Sequence, residues 1–201
     1  SFGGFTAVVI TDTIQGLIMC LGTAILLISA FTAGGGVENI NASLATKLPD
    51  VWDNLTGVFG PGTLLSYWIL VGFGTIGLPQ TAVRAMGFKN TKSLHSAMWI
   101  GAVTCAFVIV GMHLAGVWCG ALIDTSTLPN SDYFIPTVVL QIMPVGIAGL
   151  FLAAPLAAVM STVSSLLILA SAAIIKDIYH TYYVKDIPER VAKYQKNLGK
   201  F

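Results

Sequence analysis

Four long apolar runs dominate the chain, with shorter polar stretches between them. Span A covers about residues 6–33, span B about 63–87, span C about 96–122 and span D about 145–175. Each run has roughly 20 or more largely apolar residues, enough for a helix to cross a bilayer core of about 30 Å. None keeps a polar face of the kind a surface helix of a soluble protein needs. The fold class expected is therefore all-α and integral to a membrane. Composition agrees: the 201 residues are 55% hydrophobic and 9% charged, against about 25% charged in a soluble domain. The mean hydropathy is +0.82.

The polar stretches carry their own patterns. The A–B loop, about 34–62, is rich in Gly, Asn, Pro and Asp, and Val37–Leu48 reads as a short helix with Glu38 or Asn39 near its start. Ser131–Met143 in the C–D loop reads as a second short helix, ended by Pro144. After Tyr179 the chain turns polar, and Ile187-Pro188-Glu189-Arg190 looks like a further helix start with Pro in its first turn. The chain does not open with Met, and we read 1–201 as one piece of a longer transmembrane protein.

Charge orients the spans. Arg84, Lys89 and Lys92 mark the B–C turn, and Lys176, Lys185, Arg190, Lys193, Lys196 and Lys200 follow span D. The A–B loop holds one basic residue, Lys47, and the C–D loop holds none. By the positive-inside rule the N-terminus, the B–C turn and the tail 176–201 lie in the cytoplasm, as in a multi-pass protein of the plasma (inner) membrane. The three cysteines, Cys20, Cys105 and Cys119, lack metal-ligand spacing and read as small packing residues. No HExxH, GxSxG, paired membrane aspartates or phosphate-binding glycine loop occurs, so an enzyme is not expected. Nothing points to a cofactor or to nucleic acid.

Three constellations carry candidate chemistry. In span B, Gly72, Gly74, Gly77 and Pro79 interrupt the apolar run. Pro79 has no amide to give to the carbonyl of Thr75. A discontinuous helix near Gly72–Pro79 would place backbone groups in mid-membrane, where transporters bind their cargo. The other reading is a proline kink with glycines used for close packing. In span D, Ala158, Ser161 and Thr162 share a helix face at i, i+3 and i+4. A carbonyl and two hydroxyls are hard oxygen ligands suited to a hard cation. Alternatively, the hydroxyls bond back to carbonyls one turn earlier or pack against another helix. In span A, Asp12 is a carboxylate near the end of a membrane span, which marks a cation pathway, a cap or an ion pair. His113 in span C reads as a packed, hydrogen-bonded residue, and Arg84 as an interface anchor.

Taken together, GGFTAVVITDTIQGLIM (3–19), GFGTIGLPQTAVRAMGFKN (72–90), GMHLAG (111–116), FLAAPLAAVMST (151–162) and IIKDIYH (174–180) resemble the sodium:solute symporter family. The resemblance runs from about 3 to 180, and its TDTxQG and AAxMST patterns are fairly specific. It implies a leucine-transporter-type fold of inverted repeats, with spans A to D as core helices 5 to 8. It also implies sodium as the coupling ion, held by the Ala158 carbonyl and the Ser161 and Thr162 hydroxyls. Substrate contacts then fall on Val71, Thr75, Pro79 and Gln80, and Asp12 on the cation pathway. The proline-transporting relatives have aromatic residues where this chain has Val71 and Thr75, which argues for a different solute. The GxIGLPxTAVR and GMHLAG segments point to pantothenate, a small organic anion. Rival readings are a symporter of an amino acid, sugar or monocarboxylate, and a non-transporting membrane subunit or sensor. Such a family has about a dozen spans in two repeats, so these four need the rest of the transporter chain, which includes the first core helix and its half of the sodium site.

Overall fold

A computed structural model describes residues 4–47, 49, 59–124 and 128–184. Among these residues the secondary structure is entirely helical. Helix α1 is Gly4–Ala33, α2 is Val37–Lys47 and α3 is Pro61–Gly74. A 3-10 turn, Thr75–Gly77, separates α3 from α4, Pro79–Met86. Helix α5 is Thr91–Leu122. A second 3-10 turn, Ser131–Tyr133, leads into α6, Phe134–Ile142. Helix α7 is Val145–Ala172 and continues into a π-helix, Ala173–Val184. Among the described residues three helices are long and apolar enough to cross a membrane, or four if the bent α3–α4 pair is one span. The helix start read at Pro188 lies outside the described residues.

The chain forms two compact units, residues 19–154 and residues 1–18 with 155–201. In the first, Leu26 and Ala30 of α1, Ala115 and Cys119 of α5, Val138 and Val139 of α6, and Ala148 and Phe151 of α7 bury one apolar cluster. Glycine makes the approaches close. A Cβ on Gly22 would lie 2.3 Å from the Cβ of Ala154, and one on Gly111 would lie 2.6 Å from Cγ2 of Thr23. Helices in lipid gain little from apolar burial against one another, so such close backbone approaches supply much of the packing.

The end of α1 is built on glycine. The N–H of Gly36 donates to the Phe31 carbonyl at 3.2 Å, and that of Gly35 to the Thr32 carbonyl at 3.3 Å. This six-to-one and five-to-two pair is a Schellman motif, with Gly35 at φ +69° and Gly36 at φ +97°. The motif turns the chain so that α2 folds back, and Ile40 comes to rest against Gly34. A Cβ on Gly34 would lie 2.3 Å from Cγ1 of Ile40. Ile40 and Leu44 of α2 are buried with Ala121 of α5 beside Trp118. Helix α5 starts at Asn90, whose side chain accepts from the Ser93 N–H at 2.8 Å.

In the second unit the hydroxyls bond locally. Thr13 donates to the Val9 carbonyl at 2.8 Å, and Thr11 to those of Val8 at 2.9 Å and Ala7 at 3.1 Å. Pro155 sits inside α7 without ending it. The π-helix carries a stacked Tyr179–Tyr183 pair, with ring centroids 6.0 Å apart.

Two predictions test this packing. Gly22→Val should lower the thermal stability of the purified protein by several degrees, whereas Gly16→Ala, which meets open space, should leave it within about 2 °C. Gly34→Val should destabilise by about 1–3 kcal/mol by overpacking. Adding Ile40→Ala should cost less in that background than in the wild type, as a double-mutant cycle of melting curves would show.

Candidate functional site

The sequence placed a discontinuity near Gly72–Pro79. The helix breaks at Thr75–Leu78, and the two halves are bent by 50°. Leu78 is extended, at φ −73° and ψ 128°. Pro79 is the first residue of α4, where its fixed φ suits a helix start and its missing amide breaks no helical bond. The carbonyl of Thr75, which has no Pro79 amide to accept from, takes the Leu78 N–H at 3.4 Å. The α4 amides of Thr81 and Ala82 donate to the Leu78 carbonyl at 3.0 and 3.3 Å. No side chain caps α4, so its first turn offers the positive end of a short helix dipole.

Val71, Thr75, Pro79 and Gln80 all lie on this broken segment, within one unit. Thr75 Oγ1 donates to the Val71 carbonyl at 2.8 Å, which ties the start of the 3-10 turn to the last turn of α3. Val71 is 61% exposed, Thr75 and Pro79 are exposed, and Gln80 is half-buried. Helices α3 and α4 have no fully buried residue, so most of this segment's surface is open to neighbours or cargo.

Ala158, Ser161 and Thr162 lie on α7 in the other unit. Ser161 Oγ donates to the Ala158 carbonyl at 3.0 Å, and Thr162 Oγ1 donates to the same oxygen at 3.1 Å. The hydroxyls therefore bond back along their own helix, as the packing reading expects. The same geometry gathers three hard oxygens on one face. A cation with metal–oxygen distances of about 2.4 Å holds neighbouring ligand oxygens roughly 3.0–3.4 Å apart. Each hydroxyl oxygen keeps acceptor lone pairs while its proton is engaged. Ser165 extends the row, donating to the Ser161 carbonyl at 2.9 Å.

Asp12 is half-buried on α1, in the unit that holds Ser161 and Thr162. One turn further on, Gln15 is 9% exposed, and its Oε1 is buried without a hydrogen-bond partner among the described residues. The sequence reading passed over Gln15. Its signal was there: an amide in an apolar run, at i+3 from Asp12. His113 is exposed on α5 and its Nδ1 donates to the Ile109 carbonyl at 2.7 Å.

Comparison with known proteins assigns the chain. The model of the sodium:solute symporter family matches residues 1–195. A sodium/pantothenate symporter of Haemophilus influenzae is 47% identical over 183 residues, 88% of this chain and 37% of the relative. That of Escherichia coli is 44% identical over 181 residues, 89% of this chain and 37% of the relative. An osmoregulated proline transporter of Bacillus subtilis is more distant, at 32% over 185 residues, 90% of this chain and 37% of the relative. No solved structure matches. The chain spans about 37% of the length of these relatives. With the family match running through both the broken helix and the hydroxyl face of α7, the chain belongs to the sodium:solute symporter family.

Proposed function

We propose that the transporter carrying this chain couples inward sodium movement to uptake of pantothenate. The observation that carries the reading is the family match over residues 1–195, which includes Ala158, Ser161 and Thr162, whose hydroxyl oxygens lie 3.0 and 3.1 Å from the Ala158 carbonyl oxygen. These three oxygens are neutral, so they would hold sodium by dipoles, once the two hydroxyl protons turn away from the Ala158 carbonyl whose lone pairs they fill in this structure. The relatives that align over 88–89% of this chain at 44–47% identity are sodium/pantothenate symporters, which supports pantothenate over proline. In this reading spans A to D are core helices 5 to 8 of an inverted-repeat fold, and the remaining sodium ligands come from a part of the transporter outside this chain. The clustering of basic residues supports a cytoplasmic B–C turn and tail.

The energetics fit the coupling. One sodium entering at a potential of 100 mV supplies about 2.3 kcal/mol from the electrical term. An anion moving with one sodium is electrically neutral, so net accumulation needs the sodium concentration gradient or a second ion. The pantothenate carboxylate lies against the uncapped first turn of α4, with Thr75 and Gln80 beside it. Asp12 draws cations towards the sodium site.

Uptake of labelled pantothenate into vesicles, with sodium or with potassium, tests this. Ser161→Ala or Thr162→Ala should raise the half-saturating sodium concentration about tenfold or more, the effect of losing one ion–oxygen interaction, while uptake at saturating sodium falls less. An unchanged sodium requirement returns the hydroxyls to a packing role. Thr75→Val and Gln80→Leu should raise the pantothenate KM about 5- to 30-fold by removing polar contacts, with the sodium requirement little changed. Unchanged KM in both variants contradicts the placement of the solute at the break. Asp12→Asn should slow sodium-driven uptake most at low sodium.

A further inference from the structure

Helix α2 is mostly polar, Val-Glu-Asn-Ile-Asn-Ala-Ser-Leu-Ala-Thr-Lys, and buries only Ile40 and Leu44. It is nevertheless held at both ends. At its N-terminus the glycine motif ties it to α1. At its C-terminus two side chains one turn apart reach the same atom. Lys47 Nζ donates to the Ala121 carbonyl at 2.6 Å, and Ser43 Oγ donates to it at 3.0 Å. Ala121 is the penultimate residue of α5, so its carbonyl is among the last four of that helix, which have no intrahelical amide to accept from. Helix α5 also presents the negative end of its dipole there, where an ammonium is favoured. The residue that follows α5, Ile123, is extended, so the helix does not wind on past Leu122. A charge-assisted bond and a neutral one thus fill both lone pairs of one otherwise orphaned oxygen.

We propose that Ser43 and Lys47 form a releasable latch that holds α2 across the ends of α1 and α5. Lys47 is a positioning residue in this account: it touches no cargo and acts through the placement of α2. Burial of two side chains is a modest hold for an eleven-residue helix, so the latch donors decide whether α2 stays down. This inference does not depend on which ion or solute the transporter carries.

Hydrogen exchange of the intact transporter in nanodiscs, read by mass spectrometry, tests the latch. Lys47→Met should speed exchange of the amides of 37–47 about tenfold, the loss of one charge-assisted bond, and leave those of 91–110 unchanged. Lys47→Arg keeps a charged donor and should restore the slow exchange. As a second readout, Leu44→Cys in a background lacking the native cysteines should react slowly with a water-soluble maleimide, and about tenfold faster when combined with Lys47→Met. If Lys47→Met does not fold, Ser43→Ala should give a smaller rise confined to 37–47. No rise in 37–47, an equal rise throughout the protein, or Lys47→Arg behaving as Lys47→Met would each overturn the proposal.

Discussion

A helix in hydrocarbon must satisfy its own backbone, because neither lipid nor water supplies partners there. The rest of this structure depends on that constraint. Where the sequence permits, each long helix runs unbroken, and hydroxyls that water would otherwise satisfy fold back onto carbonyls three or four residues earlier. Thr11, Thr13, Thr23, Thr32, Ser161, Thr162, Ser165 and Ser171 all do this. The same bond that makes a hydroxyl tolerable in a span also keeps its oxygen close to a carbonyl. On α7 two such hydroxyls share one carbonyl, and a structural habit becomes a cluster of three oxygens.

Among the described residues the constraint is relaxed between α3 and α4. Pro79 removes an amide, Gly77 and Gly74 remove side chains, and the backbone leaves the helical path for a few residues. The cost is contained by the 3-10 turn, in which the Leu78 amide takes up the Thr75 carbonyl. The break and the oxygen cluster belong to separate compact units. Packing follows a different rule. Helices α1, α5 and α7 approach at Gly22, Ala154, Gly111 and Thr23, so small residues, rather than large apolar ones, decide where backbones come close.

Much of this was legible in the sequence because its causes are local. Proline and glycine chemistry acts on the next few residues, so the interruption of span B was visible, as was the short helix starting at Val37. The apolar runs were visible because bilayer thickness sets their length. The i, i+3, i+4 spacing of Ala158, Ser161 and Thr162 puts them on one face by helix geometry alone. Other features have causes far apart in the chain. Lys47 and Ala121 are 74 residues apart, and nothing near Lys47 says that it caps another helix. It read only as the one basic residue of its loop. The buried amide of Gln15 also escaped notice, because burial depends on what packs against α1. The change from α- to π-helix at Ala173 has no proline or glycine to announce it.

Equilibrium binding of labelled sodium to the purified intact transporter tests the central claim most directly, with wild type compared against the Ser161→Ala, Thr162→Ala double variant. If the three oxygens on α7 are a sodium site, the wild type binds sodium with saturation and the double variant loses most of that binding while keeping its helical content and melting cooperatively. Undiminished sodium binding in a folded double variant would contradict it, and would leave the hydroxyls as groups that only close their own helix.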